Sequence, residues 1–471
     1  MVFSSLTFLY LFLPVCLGLY YAVRNLKIRN IVLLIFSLAF YAWGEPKWIV
    51  LMLISTSVEY VGAIIADKFR GTWKAKAAVG VSITTALAFL FVFKYLDFFT
   101  FNINTIFHTD AKLLHLVLPI GISFYTFQTI TYIVDVYRGK VPVQKNFADL
   151  LLYVSMFPQL IAGPIVKYSD IQGQIRERTV SARKAGDGVI RFLVGLFKKA
   201  LLANVAGEVA SQMLDGSLSK LSFVGAWIGI LAYTFQIYFD FSAYSDMAIG
   251  LGKMLGFDYP ENFNYPYIAT SINDFWKRWH MTLTTFFREY LYIPLGGNRK
   301  HHVLNLFIVW LLTGLWHGAS WNFIIWGLYY FIFIVLEKLF IGKLLEKAPA
   351  FVGRIYTMLI VMIGWGLFYF DNMDRLRSFL SILFGFGASA FYNASDGTIF
   401  LNHIFFFIFA AAAVTPVSRW LKKKYTEYSS KKSLTARTGD ALLVVYTAFL
   451  MFIDTAVMVG STYNPFLYFR F

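Results

Sequence analysis

Apolar runs of about 20 residues recur from one end of this 471-residue chain to the other, and they constrain its fold more than any other feature. A helix needs roughly that length to cross the hydrocarbon core of a bilayer, and within lipid the backbone must satisfy its own polar groups. Candidate spans are 6–23, 30–44, 48–66, 77–96, 113–135, 189–212, 223–250, 352–370, 399–417 and 440–460. Composition agrees, with 58% of residues hydrophobic and only 14% charged, against roughly 25% charged in soluble domains. The first basic residue is Arg24. The opening run therefore lacks the positive flank of a cleavable signal and is expected to stay as a span. The expected fold class is an all-α polytopic membrane protein, with 1–471 forming a single membrane domain.

A net charge of +16 invites a nucleic-acid reading, but the placement of the charges argues for topology. With the N-terminus outside, Arg24, Lys27 and Arg29 share one inward loop. Lys68, Arg70, Lys74 and Lys76 fall in the next, and Arg138, Lys140 and Lys145 in a third. Only Lys47, Lys94, Lys112, Lys220, Arg375, Arg377 and Arg470 then face outward. Cytoplasmic loops collect Lys and Arg, so both termini are expected on the extracytoplasmic side and no nucleic acid is expected as partner. The single cysteine, Cys16, excludes an intramolecular disulfide, a Cys-based zinc site and an iron–sulfur cluster.

Three apolar stretches do not read as simple spans. Residues 147–166, "FADLLLYVSMFPQLIAGPIV", contain Pro158, Gly163 and Pro164 between basic flanks and read as a re-entrant segment. Residues 303–316 make roughly 21 Å of helix at 1.5 Å per residue, short of a core of about 30 Å. With 320–337 they form a hairpin, 303–337, whose tip is "HGAS" and whose outer ends are basic. Irregular backbone at that depth is tolerated only inside protein or beside a watery cavity. Residues 376–390 read as a partial or interfacial helix.

Within the hairpin, "LTGLWHGASWN" places His317 in apolar surroundings. An ionisable residue inside a membrane points to function, here a neutral imidazole acting as general base. A structural histidine bridging two helices is the alternative. Gly314 and Gly318 would let another group approach, and Trp316 and Trp321 could wall a cavity. In 271–293, Ile272, Phe275, Trp276, Trp279, Leu283, Phe286, Phe287 and Tyr290 recur at helical spacing, which predicts one amphipathic interfacial helix. His280 flanks its apolar stripe, where structural and catalytic roles are equally open. "YFDFSAYSDMAIG" puts Asp240, Ser242, Tyr244 and Asp246 into a span, and 119–135 gives a polar-lined helix carrying Gln128. No G-x4-G-K, G-x-S-x-G or H-E-x-x-H pattern occurs, which argues against an ATP-driven pump, a serine hydrolase and a zinc helix.

These residues give the chain its family resemblance. "LPIGISFYTFQ" (118–128), "MFPQLIAGPI" (156–165), "YFDFSAYSDMAIGLGKMLGF" (238–257), "PENFNYPYIATSINDFWKRWHMTLTTFFREYLYIPLGGNR" (260–299), "LTGLWHGASWNFIIWG" (312–327) and "NPFLYFRF" (464–471) resemble the membrane-bound O-acyltransferase (MBOAT) family in its bacterial alginate O-acetyltransferase branch. The resemblance implies a ring of about 10–12 transmembrane and re-entrant helices around a central tunnel. It maps the family's essential histidine to His317 and its second histidine to His280. Trp316, Asn322, Trp276, Asp240, Ser242, Tyr244, Asp246 and Gln128 become candidate substrate contacts, with no metal. It further implies no bound cofactor, acetyl-CoA as acyl donor, and a place in the bacterial cytoplasmic (inner) membrane. The expected partners are an exported SGNH-type acyltransferase or polysaccharide assembly proteins, and the product an O-acetylated extracytoplasmic polysaccharide. Two alternatives remain at this point: D-alanyl transfer to teichoic acid, and a secondary transporter using Asp240, Asp246 and His317.

Overall fold

In the computed structural model the described residues are 1–161, 163–417, 419–420, 423–424, 436–460 and 466–467, and every regular element among them is helical. Most of the basic stretch 419–437 and of 464–471 lies outside them. Six helical stretches among the described residues are long and apolar enough to cross a membrane: Leu26–Gly44, Ile49–Lys68, Trp73–Phe107, Trp321–Lys347, Ala350–Tyr369 and Ala441–Gly460. The chain is an all-α multi-pass membrane protein. Its internal contacts divide it into two units, Met1–Phe192 with Tyr244–Glu261, and Leu193–Ala243 with Asn262–Phe471.

The first unit begins with α1 (Leu13–Ala22), α2 (Leu26–Gly44), α3 (Ile49–Lys68), α4 (Trp73–Leu90) and α5 (Leu96–Phe107). These are followed by α6 (Ile122–Tyr137), α7 (Phe147–Ser155), α8 (Phe157–Leu160), α9 (Tyr168–Arg176) and most of α10 (Ala182–Phe197). Helix α3 packs on α4 and α6, and α2 on α7. The span expected at 113–135 starts only at Ile122. Pro119 has no N–H to donate, and Gly121 turns left-handed at φ +77°, a conformation that glycine adopts without steric cost. The 16 residues left make roughly 24 Å. The 147–166 stretch is two buried helical pieces broken at Met156. Asn146 caps the first by accepting from the Ala148 N–H at 2.9 Å. The 244–261 segment is stapled to α1 where the Leu255 carbonyl accepts from the Tyr20 hydroxyl at 2.7 Å and from Arg178 Nε at 3.0 Å.

Helices α11 (Asn204–Leu214) and α12 (Phe223–Met254) lead into the second unit, α12 contributing 223–243 to it. It continues with α13 (Ile272–Arg278), α14 (Met281–Phe287), α15 (His302–His317), α16 (Trp321–Leu336) and α17 (Gly342–Lys347). Then come α18 (Ala350–Tyr369), α19 (Met373–Leu383), α20 (Ala394–Asn402), α21 (Ile404–Ala413) and α22 (Ala436–Gly460). Its core is aromatic, with Trp326, Trp365 and Tyr330 fully buried.

Four expectations change here. The span read at 189–212 is α10 and α11 joined by a π-helical turn over Lys198–Ala203, and its lysines keep it out of the apolar six. Helix α12 is longer than 223–250 but is diluted by Gln236, Asp240, Ser242, Ser245 and Asp246. The 399–417 span is α20 and α21, bent by 59°. The single helix at 271–293 is two short helices, interrupted between Arg278 and Met281.

Candidate active site

The hairpin arms α15 and α16 meet on glycine. A Cβ at Gly314 would stand 2.4 Å from the Phe323 carbonyl oxygen, and one at Gly327 2.4 Å from that of Trp310. The group that Gly314 and Gly318 admit is therefore the hairpin's own second arm, since a Cβ at Gly318 would meet the Phe323 ring at 2.3 Å. His317 closes α15, and the turn to α16 follows at once. Its half-buried imidazole stands edge-on to Trp326 at 4.9 Å, Phe368 at 5.1 Å and Trp316 at 4.9 Å between ring centroids. These are favourable aromatic separations, and three such rings fix the imidazole's plane.

His280 sits at the break between α13 and α14, in the left-handed region at φ +43°. A non-glycine residue there costs energy that the surroundings must supply. The anchor is Asn262. His280 Nδ1 lies 3.0 Å from Asn262 Oδ1, and the Thr282 hydroxyl and N–H reach the same oxygen at 2.9 and 3.3 Å. An amide oxygen only accepts, so Nδ1 carries the proton and Nε2 is left as an acceptor. Nε2 is buried with no hydrogen-bond partner. Burial pushes the imidazole down to about 3, so it is neutral at pH 7. Trp316 joins the two histidines, its ring centroid 5.9 Å from His280 and 4.9 Å from His317.

Two cavities meet at His317. The larger, about 1100 Å³, is lined by Trp276, Trp279, His280, Thr313 and His317, and also carries Lys277, Arg288, Lys338 and Lys343 against Glu337 and Glu346. The Glu337 carboxylate is engaged at the start of α13, accepting from the N–H groups of Ile272 at 2.5 Å and Asn273 at 2.9 Å. The smaller, about 40 Å³, is enclosed by Trp279, Trp316, His317, Trp326, Trp365 and Phe368 together with Ile237, Asp240, Phe241, Phe466 and Leu467. His317 and Trp279 line both.

The other candidates scatter. Trp276 and Trp316 belong to these walls, whereas Trp321 is exposed. Asp240 lines the small pocket, but its carboxylate is paired with Lys199 at 2.6 Å. Ser242 is buried and lines neither cavity. Asn322 lines a third cavity of about 330 Å³, with Asp215, Tyr369 and Arg375. Tyr244, Asp246 and Gln128 lie in the first unit. There Tyr244 stacks on Phe3 at 4.6 Å, Asp246 pairs with Arg191 at 2.8 Å, and Gln128 is buried in α6. Sequence reasoning missed Asn262, whose signal is only its place in "PENFNYPY". It did not single out His302 either. His302 lines the large cavity in a chain from Lys338 Nζ to its Nε2, at 2.5 Å, and from its Nδ1 to the Tyr292 hydroxyl, at 2.6 Å. Among the described residues no group of three His, Cys, Asp or Glu side chains is placed to hold a metal.

Comparison with known proteins places this site in context. Residues 141–380 match the profile of MBOAT, the membrane-bound O-acyltransferase family. The chain is 42% identical to a probable alginate O-acetylase, AlgI, of Azotobacter vinelandii, over 82% of this chain and 79% of the relative. It is 32% identical to a peptidoglycan O-acetyltransferase of Helicobacter pylori, over 100% and 98%. A teichoic acid D-alanyltransferase of Bacillus subtilis is 27% identical, over 48% and 60%.

Proposed function

The chain belongs to the MBOAT family and is a membrane-bound O-acyltransferase, and from that premise we propose that it moves an acetyl group from acetyl-CoA, through His317, toward an extracytoplasmic polysaccharide. The observation that carries this reading is the position of His317, an imidazole shared by a large cavity with basic walls and a small aromatic pocket.

At about 1100 Å³ the large cavity is at the upper end of small-molecule sites, which run to roughly 1,000 Å³. Lys277, Arg288, Lys338 and Lys343 suit the phosphates of a nucleotide thioester. His317 takes the proton of the attacking hydroxyl as its oxygen adds to the thioester carbonyl. The carbon–sulfur bond then breaks, and the leaving thiolate recovers the proton from the imidazolium. Base catalysis of this kind contributes about 10²–10⁴-fold. His280 offers Nε2 as an acceptor and positions the donor. The third cavity presents Asn322, Asp215 and Arg375 to a hydroxylated acceptor.

Alginate and peptidoglycan, named in two relatives aligned over most of this chain, are both sugar polymers, which supports a glycan hydroxyl as final acceptor. In this reading an exported SGNH-type acyltransferase receives the acyl group, and the enzyme sits in the bacterial cytoplasmic membrane. The test is labelled acetyl-CoA supplied to membrane vesicles containing the chain. Label in glycan that depends on His317 is the expected result. Transfer only from a D-alanyl-loaded carrier protein would overturn the donor assignment.

A further inference from the structure

The small pocket beside His317 is closed in part by Phe466 and Leu467, and the closure is anchored. The Leu467 N–H donates to Asp240 Oδ2 at 2.8 Å in a buried contact. Asp240 Oδ1 lies 2.6 Å from Lys199 Nζ, and both side chains are almost wholly buried, at 2% and 3% exposure. A buried ion pair is weak evidence for stability, because desolvation offsets its attraction. What this pair does is fix the direction of a carboxylate whose second oxygen holds the 466–467 backbone against the pocket.

We propose that Lys199 and Asp240 latch the 466–467 segment over the acyl pocket, and that Phe466 and Leu467 thereby limit the transferred group to acetyl. The proposal rests on the reading of His317 as the transfer base. At 10–15 Å³ for each water-sized group, the pocket's 40 Å³ takes about three such groups, and an acetyl group has three heavy atoms. Much of the remaining wall is Trp279, Trp316, Trp326, Trp365 and Phe368. These rings pack on one another and on His317, with Trp326 to Trp365 at 6.2 Å and Trp326 to Phe368 at 5.3 Å. Phe466 and Leu467 come from a part of the chain far in sequence from the rest of that wall, which lies within 237–368.

The experiment measures kcat/KM for acetyl-, propionyl- and butyryl-CoA in membrane vesicles, reading acyl label in glycan. An extra methylene in a filled apolar pocket is rejected about 10- to 200-fold, so the unaltered protein should prefer acetyl over propionyl by at least about tenfold. Phe466→Ala and Leu467→Ala should raise the propionyl-to-acetyl ratio by about tenfold while acetyl transfer continues. Phe466→Leu, a milder change, should move it the same way by less. Equal use of butyryl- and acetyl-CoA by the unaltered protein overturns the size limit. Active variants with unchanged ratios overturn the latch alone and leave the function standing. Variants inactive with every donor make the segment part of the catalytic structure, which also overturns it as a size limit. Failure of the unaltered protein with all three donors removes the donor assignment and this proposal together.

Discussion

The Nδ1–H of His280 is given to the side-chain oxygen of Asn262 at 3.0 Å, across 18 residues of chain. This bond selects the tautomer and leaves Nε2 as the acceptor in the large cavity. Asn262→Ala removes it together with both hydrogen bonds from Thr282. Turnover should fall about 10- to 100-fold, the scale seen when the partner that orients a metal-bound histidine is lost, with KM for the donor nearly unchanged. Asn262→Asp keeps an acceptor and should recover part of kcat. Its carboxylate raises the imidazole pKa, so the acid side of the pH profile moves to higher pH. Wild-type turnover in the Ala variant would remove Asn262 from the mechanism.

The same burial sets a pH dependence of stability. His280 is held down to about 3 by desolvation, against about 6.5 in an unfolded chain. Between those values the unfolded state binds a proton that the folded state does not, so stability rises with pH. The enzyme should therefore lose about 1.4 kcal/mol per pH unit from this group as pH falls below 6.5. Above 6.5 the group contributes no slope. Thermal unfolding in detergent from pH 4 to 8, compared with His280→Gln, isolates the contribution. A Gln variant with the same acid-side slope as the parent assigns that slope to other groups.

His317 carries a different expectation, because its ring is half-buried and its α15 backbone is unstrained. His317→Ala should insert in membranes, survive extraction and unfold near the parent temperature. Acyl transfer should nevertheless drop by about 10²–10⁴-fold. His317→Gln keeps volume but supplies no base and should be equally impaired. Transfer by His317→Ala at the parental rate would falsify the assignment.

Much of this was legible in the sequence, for reasons that differ by residue. Spans such as α3 and α18 are apolar along most of their length, and length with composition identifies them. His317 stood out because an imidazole between tryptophans and glycines has no bland surface role. The break at His280 was hidden, since Phe275, Trp276, Trp279, Leu283 and Phe286 keep helical spacing straight across it. Hydrogen bonds to Asn262 and Asn264, distant in sequence, hold the break where a non-glycine residue turns left-handed. Asp240 was legible as a carboxylate inside a span, but periodicity could not show that it pairs with Lys199. Nor does spacing along α12 reveal that Tyr244 and Asp246 pack in a different unit from Asp240. The glycines were read correctly as points of close approach. What approaches them, α16 itself, is a tertiary fact.

That approach gives the last prediction. Gly314 and Gly327 lie on facing arms of one hairpin, each occupying the space where the other arm's backbone passes. A methyl at either position would be 2.4 Å from a carbonyl oxygen. A backbone oxygen cannot swing aside as a side chain does, so the arms must separate. Overpacking of this kind costs about 1–3 kcal/mol, and each of Gly314→Ala and Gly327→Ala should lower stability by that much. Both substitutions are relieved by the same separation, so the double variant should cost less than the sum, by at least about 0.5 kcal/mol. Separation also moves His317, which ends the first arm three residues after Gly314, relative to Trp326 on the second. Turnover should therefore fall more than donor affinity. Equilibrium unfolding of both single variants and the double, with kcat and KM for each, decides the matter. Strict additivity would mean that the two glycines do not share one contact.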